Sequence, residues 1–231
     1  MDIYLQAGAN RMKFSRNELK FAVRWAALGR NVPVGLADDL AKAAMGLAAA
    51  GIDPLKNIVS ALGQLDMHHR WGNMRDSATL SVIEAGPVLS DSLVTGETVL
   101  PPNAVLDNPV LLVGYLCHSP ISPPVKLGWQ SRGSECVLVV GESGLSSILG
   151  GGLETLHVET AVDLSYRWAV EPPELISAES IRQNRITTRE LGVELSEADW
   201  HSLWRFTQQA LSKSSKESRL SGAGASLVDI D

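Results

Sequence analysis

The sequence predicts an α+β fold, with an N-terminal helical module packed on a mixed or antiparallel sheet and an amphipathic helix closing the chain. Three observations predict it. Capped segments with apolar stripes fill the first 65 residues, strand-like apolar and alternating segments follow between 80 and 170, and a second capped stripe begins at Ser196. Charge changes with the pattern: residues 1–75 carry a balance of +4, residues 76–165 carry −8 and the remainder −2. The expected organisation is a helical module over 1–75, a sheet-containing region with the closing helix over 76–212, and a tail over 213–231.

The elements follow in order. Ser15 and Glu18 form a capping box before a stripe of Leu19, Phe21, Ala22 and Trp25, and Gly29 ends that helix. Residues 36–50 are Ala-rich, with Asp38 and Asp39 expected in the first turn, where the helix dipole favours negative charge, and Gly51 at the end. Asp53 as N-cap and Pro54 at the first position start a third helix that runs to about residue 65. Residues 80–83 read as a short apolar segment and 87–94 as a helix. Residues 109–117 are apolar on both faces and read as a buried central strand, as do 136–140. Residues 155–170 alternate polar and apolar, which predicts a long strand with one face on the core. Ser196 and Asp199 cap a last helix whose Trp200, Leu203, Trp204, Thr207 and Leu211 share a face. Residues 212–226 read as a flexible Ser/Gly/Lys-rich stretch, followed by apolar Leu227, Val228 and Ile230 set among aspartates.

Composition narrows the function. With 45% hydrophobic and 20% charged residues in 231, the chain is globular rather than disordered. Its net charge of −6 argues against coating nucleic acid, which requires a basic surface. The longest apolar run, 43–52, is about half what a membrane helix needs, and the N-terminus lacks a signal-peptide pattern. Two cysteines, Cys117 and Cys136, fit reduced thiols rather than a disulfide scaffold. A soluble cytoplasmic protein is the expectation.

Several residue groups could carry chemistry. His157, Glu159, Asp163 and Arg167 project from the polar face of the 155–170 strand, and an imidazole near a carboxylate suits acid–base work. The solvated face of an ordinary antiparallel sheet looks the same. His68, His69, Arg70 and Trp71 form a cationic, aromatic loop at the junction of the two regions. That loop could hold a carboxylate substrate or be only a surface linker. Gly141-Glu142-Ser143-Gly144 resembles the nucleophile elbow of the α/β-hydrolases, with Asp163 and His201 following in hydrolase order. Leu145 replaces the closing glycine, so a tight turn is the better reading. Cys117 and His118 would point to opposite faces of a strand, and could pair only if the strand ends at Cys117. Gly150-Gly151-Gly152 lacks the Lys-Ser/Thr of a phosphate loop, and no zinc-ligand spacing occurs.

Three segments together resemble an uncharacterised bacterial family known only as a domain of unknown function. They are Phe14-Ser-Arg-Asn-Glu-Leu, Val34-Gly-Leu-Ala-Asp-Asp-Leu-Ala-Lys-Ala-Ala and the stretch from Ser218 to Asp231, in which Ser226 departs from the family's usual glycine. That resemblance implies no activity. Residues 15–53 are also similar to the first two helices of the type-2 malate/lactate dehydrogenases, which implies a remote relative of NAD-dependent 2-hydroxy-acid oxidoreductases. The catalytic Asp-Ser-His-Gly of that family is here Gly51-Ile-Asp-Pro, without the histidine.

Two functions are therefore expected in competition. One is an enzyme, or enzyme subunit, of small-molecule carboxylate or amino-acid metabolism. It would use His157 and Glu159 as acid and base and Arg167 or Arg70 to pair an anionic substrate, with the cofactor unspecified. The other is a non-catalytic protein partner of a metabolic enzyme, binding through its tail or its Trp-bearing helix.

Overall fold

The computed structural model describes residues 10–65, 71–72, 79–95, 105–131, 134–151, 160–161 and 173–211. Strand β1 (Arg11–Phe14) leads into helices α1 (Arg16–Gly29), α2 (Val34–Ala49) and α3 (Leu55–Gln64). Ser15 caps α1 in the expected box: its hydroxyl accepts from Glu18 N at 3.2 Å and the Glu18 carboxylate accepts from Ser15 N at 2.7 Å. The stripe beneath is Leu19, Ala22, Val23, Ala26 and Ala27, so Phe21 and Trp25 were placed on the wrong face: Phe21 is 49% exposed. Gly29 does not itself turn the chain. The left-handed residue is Asn31, at φ 61°, and Val32 N and Asn31 N close a Schellman end on Ala27 O and Leu28 O. Gly29 is instead required by packing. A Cβ there would lie 2.0 Å from the Phe206 carbonyl of the closing helix.

Helix α2 starts two residues earlier than expected, which moves Asp38 and Asp39 out of the first turn. They pair instead with Arg24 at 2.5 Å and Lys42 at 2.7 Å. It ends in a second Schellman motif, with Ile52 N on Leu47 O across Gly51. Asp53 does hold the start of α3, accepting from Leu55 N at 3.0 Å.

The next elements are β2 (Thr79–Leu80), α4 (Val82–Thr95), β3 (Val105–Asp107) and α5 (Leu111–Leu116). The segment read as a central strand, 109–117, is thus a helix. It is short, so its apolar run carries no period, and Leu111, Leu112, Val113 and Leu116 are buried all round. Gly114 lets α5 lie directly on α2: a Cβ would sit 2.2 Å from the Ala43 carbonyl.

Antiparallel β4 (Val125–Ser131), β5 (Ser134–Gly141), β6 (Gly144–Gly150) and β8 (Glu174–Ile176) make a four-stranded sheet in the order β4-β5-β6-β8. β5 is covered on both faces, as its continuous apolar run predicts. Residues 141–144 form the tight turn between β5 and β6. A smaller mixed sheet pairs β2 parallel to β3 and β3 antiparallel to β7 (Thr160–Ala161). Only those two residues of the 155–170 segment fall within the described residues, and both are strand.

Helix α6 (Ala178–Leu191) has no counterpart in the sequence reading, because only Ile181 of its fourteen residues is buried and a surface helix shows little apolar stripe. Strand β9 (Val193–Ser196) pairs with β1, and α7 (Glu197–Leu211) closes the helical module against α1. Leu203 and Thr207 are its buried positions, and Thr207 Oγ1 donates to Ala22 O at 3.2 Å. Leu211, expected on that face, is 51% exposed. One apolar core runs from α1 and α2 through α4 and α5 to β5 and β6, so the helical module packs on the sheet region. Among the described residues no helix is long and apolar enough to cross a membrane.

Candidate functional site

His157, Glu159, Arg167 and Arg70 lie outside the described residues, as do His68, His69, Asp163, Gly152 and the 213–231 tail. What the structure gives is the framework around their chain neighbours, and it centres on the amino end of α4.

Four segments meet there. Ser81 precedes α4, and its carbonyl starts the helix by accepting from Ala85 N at 2.8 Å. The first free amide of the helix, Val82 N, donates to Asp107 Oδ1 at 2.7 Å, so a carboxylate from β3 sits at the positive end of the helix dipole. Asp107 is 7% exposed. Two residues along, Glu84 is 8% exposed, and its Oε1 accepts from Gly72 N at 2.5 Å. Gly72 adopts φ 87°, which glycine tolerates, and the preceding Trp71 packs partly on the core. Asn108 follows Asp107 at φ 38°, a region asparagine enters more readily than most residues. Its carbonyl accepts from Leu111 N and its amide donates to Gln64 Oε1 at 3.1 Å. The Ser81 hydroxyl, buried in the same place, has no hydrogen-bond partner among the described residues.

Each carboxylate thus pins backbone. Asp107 ties β3 to α4, and Glu84 ties the backbone at Gly72 to the same helix. The register of β3 with β7 sets Asp107 opposite Thr160. Glu159 is the residue before Thr160, and Arg70 lies two before Gly72. Thr160 and Gly72, next in sequence to the two groups of candidate residues, are thus tied to β3 and α4, whose contacts with them lie at Asp107 and Glu84. Sequence reasoning named neither Glu84 nor Asp107. The available signal was Asp107-Asn108-Pro109, a turn-forming run directly after an apolar pair. Close by on α5, the Tyr115 hydroxyl is buried without a hydrogen-bond partner among the described residues. Burial first, then the charges of Asp39 and Asp107, pushes its pKa well above the usual range and keeps the phenol neutral.

The remaining candidates separate. Cys117 caps α5, fully buried, and burial pushes its thiol up against the opposing pull of Arg185. His118 is held toward its neutral form, mainly by burial and then by Arg185 and Arg16. The two are no thiolate–imidazolium pair. Cys136 is likewise free and buried, its thiol driven up by desolvation. Ser143 is exposed in a plain β-turn and His201 is exposed on α7, away from any elbow geometry. Among the described residues, no three His, Cys, Asp or Glu converge as a metal site.

No curated protein and no solved structure matches the chain. The likeness to malate/lactate dehydrogenases is accordingly not shown by these comparisons. Residues 14–86, from the end of β1 through Gly86 on α4, match the model of a family described as protein of unknown function (DUF3726), which bears out the resemblance to an uncharacterised family over that stretch.

Proposed function

We propose that this protein is an enzyme, or a subunit of one, acting on a small carboxylate or amino-acid substrate at the amino end of α4. In this reading His157 and Glu159 supply the acid and base, and Arg70 or Arg167 pairs the substrate anion. The observation that carries it is the convergence at Glu84 and Asp107. β7 pairs with β3 opposite Asp107, whose carboxylate holds the start of α4, and the Glu84 carboxylate on the same helix holds Gly72, two residues after Arg70. Fixing catalytic segments through buried polar contacts supplies the preorganisation that catalysis requires.

The test is a thermal-shift screen of the full chain against a panel of carboxylates and amino acids. A hit that raises the melting temperature by several degrees, and is lost in the His157→Ala, Glu159→Ala double variant, supports the proposal. A hit that survives the double variant contradicts it. Deleting residues 213–231 leaves the shift intact if the site is where we place it. A co-purifying partner lost on that deletion, with no metabolite shift at all, favours the protein-partner role instead.

A further inference from the structure

At the other end of α5 lies a second polar site, independent of the first. Arg185 reaches from α6 to the last turn of α5, where its Nη2 donates to Cys117 O at 2.6 Å and lies 3.4 Å from Cys117 Sγ. That bond fixes the guanidinium, since helix carboxyl ends attract cations. Its Nε, also buried, has no acceptor among the described residues. Buried donors are almost always satisfied, so an unmet one points to a missing acceptor.

Arginines gather around this corner. His118 adjoins this corner, and the charges of Arg185 and Arg16 both reach its imidazole. Arg182, Arg185 and Arg189 recur along α6 at three- and four-residue spacing, which puts them on one helix face. Arg182 is taken by Glu179 at 2.7 Å. Among the described residues, neither Arg185 nor Arg189 has a carboxylate within ion-pair distance. The β5–β6 turn packs against the same helix end, for a Cβ on Gly144 would lie 2.3 Å from Cys117 O. Its one acid, Glu142, accepts from the Ser122 hydroxyl at 3.3 Å. In a chain of net charge −6, two arginines of α6 thus stand without a carboxylate among the described residues, beside a histidine held toward its neutral form.

We infer that this corner binds a phosphate-type oxyanion, free or carried on a small molecule. One arm of the Arg185 fork is spent on the Cys117 carbonyl, which disfavours the flat two-point grip of a carboxylate. A tetrahedral oxyanion accepts single bonds from several directions, which the Arg185 Nε and an imidazole N–H of His118 can supply, with Arg189 adding charge from the next turn of α6. The site needs neither His157 nor Glu159, so it stands or falls apart from the proposed catalysis.

The test is calorimetric titration of the full chain with sodium phosphate and, separately, sodium acetate, each against sodium chloride at matched ionic strength. Phosphate binds and acetate does not. Arg185→Gln and the exposed-residue variant His118→Gln each weaken phosphate at least tenfold, with circular dichroism showing both folded. Phosphate indistinguishable from chloride, acetate binding as tightly as phosphate, or wild-type phosphate affinity in a folded His118→Gln variant would overturn the inference. Thermal stabilisation by a phosphomonoester as well as by inorganic phosphate identifies a carried group. Stabilisation by inorganic phosphate alone identifies the free ion.

Discussion

The helical half and the α4–β3–α5 corner solve the burial problem in opposite ways. In α1, α2, α3 and α7 the buried residues are almost all apolar, with Asn57 and Thr207 the polar exceptions among those described. Between positions 84 and 108, by contrast, Glu84, Ser90, Ser92, Asp107 and Asn108 are all buried. Burying a carboxylate costs free energy unless it is hydrogen-bonded, and here each of the two holds backbone: Asp107 the start of α4 and Glu84 the amide of Gly72. The helical half carries the fold, and the corner is where the molecule spends stability on position.

That contrast can be broken at the seam. Gly114 is the point where α5 lies on α2, and a side chain there meets the Ala43 backbone, which cannot move aside alone. Gly114→Val should cost about 3 kcal/mol, at the upper end for overpacking, read as a lowered urea midpoint. A change under 1 kcal/mol would mean the two regions are not rigidly joined.

Asp107→Ala sharpens the contrast from the corner's side. It leaves the Val82 amide buried without an acceptor and should cost about 2 kcal/mol. The loss should appear chiefly as faster hydrogen exchange at the start of α4, with α1 and α2 amides unaffected. Uniform acceleration across both regions would contradict a separate polar corner.

The smallest effect belongs to the exposed cap of the helical half. Ser15→Ala should cost about 1 kcal/mol. The Ser15 hydroxyl and backbone amide hold the Glu18 carboxyl below its ordinary value of 4.5. A lowered folded pKa gives stability that is present above that value and lost as pH falls through the folded one. The variant should therefore lose less stability on acidification than the wild type does, measured by thermal melts between about pH 6 and 3, a window spanning the ordinary carboxylate range.

These regions were unequally legible. The capping box at Ser15, the Schellman end at Gly51, the doubly apolar strand at 136–140 and the cap at Ser196 each depend on local residues, and local rules found them. Residues 109–117 misled because a six-residue buried helix offers no period to distinguish it from a buried strand. Helix α6 hid because it buries only Ile181. The corner was illegible for a different reason. Asp107 and Val82 are 25 positions apart, Glu84 and Gly72 are 12 apart, and only the folded topology brings each pair together. Arg185 and Cys117, 68 apart, make the same point.

The central claim is that the segment entering β7 delivers an acid–base pair to an enclosed polar site. The direct measurement is the NMR titration of the His157 imidazole in the wild type and in Glu159→Gln. If the claim holds, His157 titrates above the free-histidine value of about 6.5 in the wild type and falls by roughly one unit in the variant, since a neighbouring carboxylate stabilises the charged ring. Titration near the free value in both proteins would mean that the two side chains stand apart in water, and the assignment of catalysis to them would be wrong.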